Sequence, residues 1–159
     1  MSRSEVSQKT RQGVLNRDRN MCQRCGRTLG LGANLQHRRA RGRGGRGDGV
    51  SVNFPENLLS LCGSGTTGCH GWVTAHPRLS DANGWSVSTN ATAYGPEAVP
   101  VLGRDEFGRQ QWYWLEGFDR IECPAETAVM RLVALGIRKN AIDDPAESAA
   151  DREVYGSWR

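Results

Sequence analysis

Cys22-Gln23-Arg24-Cys25 and Cys62-Gly-Ser-Gly-Thr-Thr-Gly-Cys69-His70 are the stretches that decide how this chain folds. Two close-spaced cysteine pairs separated by a folded insert match the ligand pattern of a tetrahedral zinc site. The second pair is wide, with six residues between its cysteines, and Gly63, Gly65 and Gly68 give the longer turn freedom to reach the same ion. The fifth cysteine, Cys123, stands alone before Pro124. Four ligands and one spare thiol explain that odd count better than disulfides do. Between the pairs lie His37 and Asn57, and His70 follows the last cysteine directly.

Working outward, the 159 residues suffice for one domain with an appendage. Twenty glycines and 37% apolar content describe a loop-rich protein with a small core, the kind that gains from a metal staple. The net charge of +4 is unevenly spread. Residues 1–50 hold 12 Lys+Arg against 3 Asp+Glu, a balance of +9, and residues 51–159 hold 9 against 14, a balance of −5. Charge concentrated around the cysteine frame and His37 is the footprint expected for a polyanion such as DNA. The alternative is a solvated, arginine-rich surface, since 19 of the 21 basic residues are Arg. No apolar run approaches the roughly 18 residues of a membrane span, and residues 1–9 lack the apolar stretch of a signal peptide. The expected location is the cytoplasm, where cysteines stay reduced.

The coarse pattern is α+β. A polar helix is expected over Ser4 to Arg19, with Ser4 and Ser7 as candidate caps. A turn follows at Cys22 to Gly26, then a short strand from Asn34 to Arg38. Ala40 to Gly49, ARGRGGRGDG, is too glycine-rich for regular structure. Asn57 to Cys62 turns from loop into strand. Cys69 to about Ala75 starts a helix that Pro77 interrupts, and Pro77 to Asn83 continues as a second one stopped by Gly84. Strands are expected at Trp85 to Thr89, Ala98 to Leu102 and Gln110 to Leu115, with Gly103 to Gly108 joining the last two. Trp112 to Trp114 can stack on bases, but aromatic strand residues are more often core, and core is the reading taken. An amphipathic helix covers Pro124 to Leu135, and an alanine-rich acidic tail begins near residue 143.

The run Cys-x-x-Cys after a helix, His37-Arg-Arg-x-Arg-Gly-x-Gly-Gly, Asn57-Leu-Leu-x-Leu-Cys62 and Gly68-Cys-His-Gly-Trp-Val73 resembles the HNH endonucleases. The resemblance covers about residues 12–85, and the last two motifs are particularly similar to HNH proteins of actinobacteria and their phages. It implies a small zinc-stapled ββα-metal core at residues 1–85. Residues 86–159 would then form a strand and helix extension. Cys22, Cys25, Cys62 and Cys69 would hold structural zinc.

On this resemblance His37 is the general base that takes a proton from attacking water, work suited to a group whose pKa lies near cellular pH. Asn57 pins the loop and orients that base, although an asparagine that only caps its own turn reads the same way. His70 is a ligand of a catalytic Mg²⁺, Mn²⁺ or Ni²⁺, with membership of the zinc site as the alternative. Where many relatives carry an acidic or histidine ligand before the base, this chain has Gln36, whose amide oxygen brings no charge. Where relatives often carry a second histidine one turn after the first, it has Thr74. His76 is about 240° around a helix from His70 and shares its face only if the helix breaks before Pro77. Arg38, Arg39, Arg41, Arg43 and Arg46 are expected to track DNA phosphates. The implied activity is DNA phosphodiester hydrolysis, nicking by a monomer or double-strand cleavage by a homodimer. The alternatives are a non-catalytic zinc-ribbon DNA-binding module and an accessory factor in phage DNA packaging with terminase partners.

Overall fold

The computed structural model describes residues 5–30, 33–40 and 51–139. The acidic tail from about residue 143 and Ser4 lie outside these residues. Helix α1 (Gln8–Arg17) is capped by Ser7, whose hydroxyl accepts the Thr10 amide, so the second candidate cap takes the role. The chain then folds into a knuckle. Met21 bridges Thr28, the Cys22 amide donates to the Arg27 carbonyl, and the Gly26 amide donates to the Cys22 carbonyl. Strand β1 (Asn34–His37) pairs antiparallel with β2 (Leu58–Leu61), with His37 opposite Leu58 and Gln36 opposite Leu59. One turn of 3-10 helix, Pro55–Asn57, leads into β2.

Helix α2 (Gly68–Ala75) ends at His76, whose backbone leaves helical geometry at φ −124° and ψ 63°. Helix α3 (Pro77–Ala82) restarts at once, with proline at its first position, where no amide is required. The two-helix reading of this stretch holds. Trp85 to Thr89 does not form the expected strand. Its apolar alternation serves two cores instead, Trp85 joining one and Val87 the other, with the Val87 amide bonded to the Arg38 carbonyl. The next expected strand starts late. Pro96–Ala98 is a turn of 3-10 helix, and β3 runs over Val101–Arg104. Strand β4 (Gln110–Glu116) lies between β3 and β5 (Asp119–Cys123) in an antiparallel sheet. β5 was not expected, because Asp-Arg-Ile-Glu-Cys is mostly polar; it is an edge strand with one buried residue. Helix α4 (Ala125–Ala134) closes the described chain.

The β3-β4-β5 sheet has two buried faces. Val101, Tyr113 and Leu115 pack with Leu59, Leu61, Trp72 and Trp85. Trp112 and Cys123 on the other face pack with Ala128 and Leu132 of α4. The tryptophan strand is therefore core, as its composition suggests. Residue 85 does not divide two cores, since the first cluster draws from both sides of it. The sheet also grips the knuckle directly. The Gln23 side-chain oxygen accepts from the Arg104 amide and from Arg120, while the Arg104 guanidinium donates to the Arg24 carbonyl.

Candidate functional site

The knuckle, the end of β2 and the start of α2 bring Cys22, Cys25, Cys62 and Cys69 together, all four sulfurs lying within 4.8 Å of one another. A zinc ion about 2.3 Å from each sulfur of a tetrahedron sets sulfur–sulfur edges of about 3.8 Å. The Cys25 and Cys62 sulfurs are 3.8 Å apart. A disulfide needs about 2.05 Å, so the cage has the dimensions of a metal site. The four cysteines can hold a structural metal such as zinc.

The wide turn reaches because it folds on itself. Ser64 bridges Thr67, and Gly63 and Gly68 take φ of +85° and +59° where a side chain would meet the backbone across the turn. Gly65 has open space around it, so two of the three glycines are required. Hydrogen bonds from Cys22 and then from its other neighbours hold the Cys62 thiol far below the usual range. The same contacts, from Cys25 first, push Cys22 up. Four thiols this close cannot all ionise without a cation, and Arg24 supplies one nearby, its guanidinium 3.7 Å from the Cys69 sulfur and 3.8 Å above the Trp72 ring.

His37 occupies the other end of the hairpin. Its Nε2 lies 2.9 Å from the side-chain oxygen of Asn53. Asn57 is 1% exposed, and its three side-chain bonds all go to backbone. Its oxygen accepts the Arg39 amide at 2.7 Å, and its nitrogen donates to the Arg39 carbonyl at 3.1 Å and the Val52 carbonyl at 2.9 Å. It thereby ties together the two ends of the segment between β1 and β2. The amide is wholly satisfied and wholly structural in its contacts, and none of them is to the imidazole.

His70 sits in the first turn of α2, its amide bonded to the Cys62 carbonyl. Among the described residues its Nδ1 is buried without a hydrogen-bond partner, and burial lowers the ring's pKa, which favours the neutral form. Gln36 alternates away from His37 onto the hairpin face of Asn34, Leu59 and Leu61. Those leucines pack with Trp72 and Val73, so this is the face that α2 covers. Thr74 bonds the His70 carbonyl and closes the turn above it. The helix break that His76 needs is present, yet its ring is stacked on Trp72 at 4.3 Å, with Nδ1 2.9 Å from the Trp72 carbonyl.

Two of the expected phosphate contacts are corrected. Arg38 is 1% exposed and donates to the carbonyls of Gly84, Glu56, Pro96 and Val99. Burial pushes its pKa down, and the four acceptors hold the charged form. Arg39 is buried too, with its guanidinium on the carbonyls of Ala91 and Tyr94. Both are struts that collect carbonyls no ladder satisfies. Arg17 and Arg24 are also buried, so four of the eight described basic residues before position 50 do not face solvent. Arg41, Arg43 and Arg46 lie outside the described residues.

Asn53 and Gln23 are the site residues that sequence reading missed. Asn53 stands in Val-Asn-Phe-Pro, where an asparagine reads as a turn former, and Gln23 is an x position of Cys-x-x-Cys. Neither carries a local signal, because the partner in each case comes from a distant segment. Comparison with family models, curated proteins and solved structures finds no match to this chain.

Proposed function

We propose that this chain is a zinc-stapled HNH endonuclease that hydrolyses DNA phosphodiester bonds with a divalent metal ion. The observation that carries the reading is the buried Asn57, bonded to Arg39 just after His37 and to Val52 across the loop. A β1-β2 hairpin followed by α2, with a histidine at the end of β1 and another at the start of α2, supports the same reading. His70 and Gln36 are the residues that would hold the catalytic ion. A neutral imidazole with a buried, unpartnered nitrogen suits a ligand. When bound, Mg²⁺, Mn²⁺ or Ni²⁺ supplies charge stabilisation at the phosphate and the leaving 3′ oxygen.

The chain's own residues do the rest. His37 takes the proton of a water whose oxygen attacks phosphorus, as the bond to the 3′ oxygen breaks and solvent protonates that oxygen. Asn57 keeps the backbone beside His37 in place. The four cysteines fix the far end of the hairpin. Supercoiled plasmid incubated with zinc-loaded protein and Mg²⁺, Mn²⁺ or Ni²⁺ tests the proposal. Nicked circles that form only with added divalent ion are expected. Gln36, uncharged where relatives carry a stronger ligand, favours a second reading as a DNA-binding zinc module. Retarded plasmid with no nicking under any of the three ions would select that reading.

A further inference from the structure

We infer that Asn53 is a positioning residue that fixes the tautomer of His37 and so selects Nδ1 as its basic nitrogen, an inference that rests on the endonuclease reading of His37. The Asn53 amide is held at both ends. Its nitrogen donates to the Glu5 carbonyl at 3.1 Å, and its oxygen lies 2.9 Å from His37 Nε2. The Glu5 carbonyl can only accept, so the amide must turn its NH₂ toward Glu5 and its oxygen toward the ring. That oxygen can only accept in turn, so Nε2 carries the hydrogen. A neutral imidazole with Nε2–H has its lone pair on Nδ1. The Asn53 backbone is itself anchored, its amide donating to the Ser51 hydroxyl at 3.2 Å.

The two asparagines thus divide one task. Asn57 bonds only backbone and sets where His37 sits, and Asn53 bonds the ring and sets which nitrogen acts. The Glu5 contact adds that the segment before α1 helps to hold the base, although it is 48 residues from Asn53 in the chain.

The test is ¹H–¹⁵N multiple-bond NMR on the full, zinc-loaded chain labelled at histidine nitrogens, with His37 assigned by comparison with His37→Ala. It is run at about pH 8, above histidine's usual titration range. Wild type is expected to show Nε2–H at His37. Asn53→Asp keeps an acceptor oxygen and keeps that tautomer. Asn53→Leu has no acceptor and moves His37 toward Nδ1–H, with plasmid cleavage in Mn²⁺ down about 10- to 100-fold, the size of loss seen when a metal-ligating histidine loses the partner that orients its ring, and recovered in Asn53→Asp. An Nδ1–H wild type, or an Asn53→Leu spectrum unchanged at His37, overturns the inference. If Asn53→Leu does not fold, wild type and Asn53→Asp decide, Nε2–H in both supporting it and Nδ1–H in either overturning it. If wild type cleaves no plasmid, the endonuclease reading fails while the spectrum still reports the hold of Asn53 on the ring.

Discussion

At one end of the β1–β2 hairpin four thiols converge, with the Cys25 and Cys62 sulfurs 3.8 Å apart. At the other, His37 is held by two uncharged amides, Asn53 on its ring and Asn57 on the backbone beside it. The cysteine end joins residues far apart in sequence, from the knuckle to α2, and the β3-β4-β5 sheet grips it through Gln23 and Arg24. A metal bound there acts on the whole fold. Among the described residues the histidine end is held by neutral hydrogen bonds, each worth about 0.5–1.5 kcal/mol. Those bonds orient a ring without contributing much to stability. On the proposed function, one hairpin therefore separates what keeps the chain folded from what would give it chemistry.

The two ends should differ most visibly when metal is removed. Structural zinc contributes about 10–16 kcal/mol in zinc-finger peptides, against about 5–15 kcal/mol for the net stability of a whole domain. Chelation, or Cys25→Ser, is expected to melt the knuckle, the hairpin and α2 together. Near-ultraviolet circular dichroism of Trp72 and Trp85, with zinc measured by elemental analysis, reads this out. A chelated protein that keeps its melting temperature would show that the cysteine end is not a staple.

A smaller loss is expected from Arg38→Leu, which removes the guanidinium from the carbonyls of Gly84, Glu56, Pro96 and Val99, of which Pro96 keeps the Val99 amide. Each neutral buried group left without a partner costs about 1–3 kcal/mol, so several together lower Tm by about 10 °C for a chain of this length. The salt dependence of DNA binding should not change, because this guanidinium does not reach solvent. A flattened salt slope with unchanged Tm would return Arg38 to the phosphate-tracking set.

The smallest effect sharpens the histidine end. Burial lowers the His70 pKa from its ordinary 6.5, so the unfolded chain binds a proton that the folded chain does not. Stability of the zinc-loaded protein without added divalent ion should therefore fall as pH drops below about 6.5 and level off below the lowered folded value. His70→Gln should remove that component from a series of denaturant melts. Identical pH profiles for the two proteins would show that the ring is not held neutral.

Much of this was legible in the sequence, and the failures have common causes. The four cysteines were readable because metal ligation demands particular residue types at short spacings. The broken helix at Pro77 was readable for a similar local reason, whereas the loop-pinning reading of Asn57 came from the resemblance, since its partner Arg39 lies 18 residues away. Arg38 and Arg39 were not, because a guanidinium on backbone carbonyls and one on phosphate need the same residue, and only burial separates them. Asn53 was invisible because its meaning depends on His37 and Glu5, which fold back to meet it. Trp85 to Thr89 alternates like a strand yet finds no ladder, since alternation reports two buried faces and not a hydrogen-bonded partner. β5 was missed for the opposite reason, its pairing to β4 being set by the Gly117 turn rather than by apolar residues.

The most direct measurement of the division between the two ends is His37→Ala set beside wild type for zinc content, Tm and plasmid nicking in Mn²⁺. One zinc per chain in both proteins, closely similar Tm, and nicking lowered about 10²- to 10⁴-fold by loss of the general base are expected. Undiminished nicking by His37→Ala, or loss of zinc and of fold together with the activity, would contradict that division.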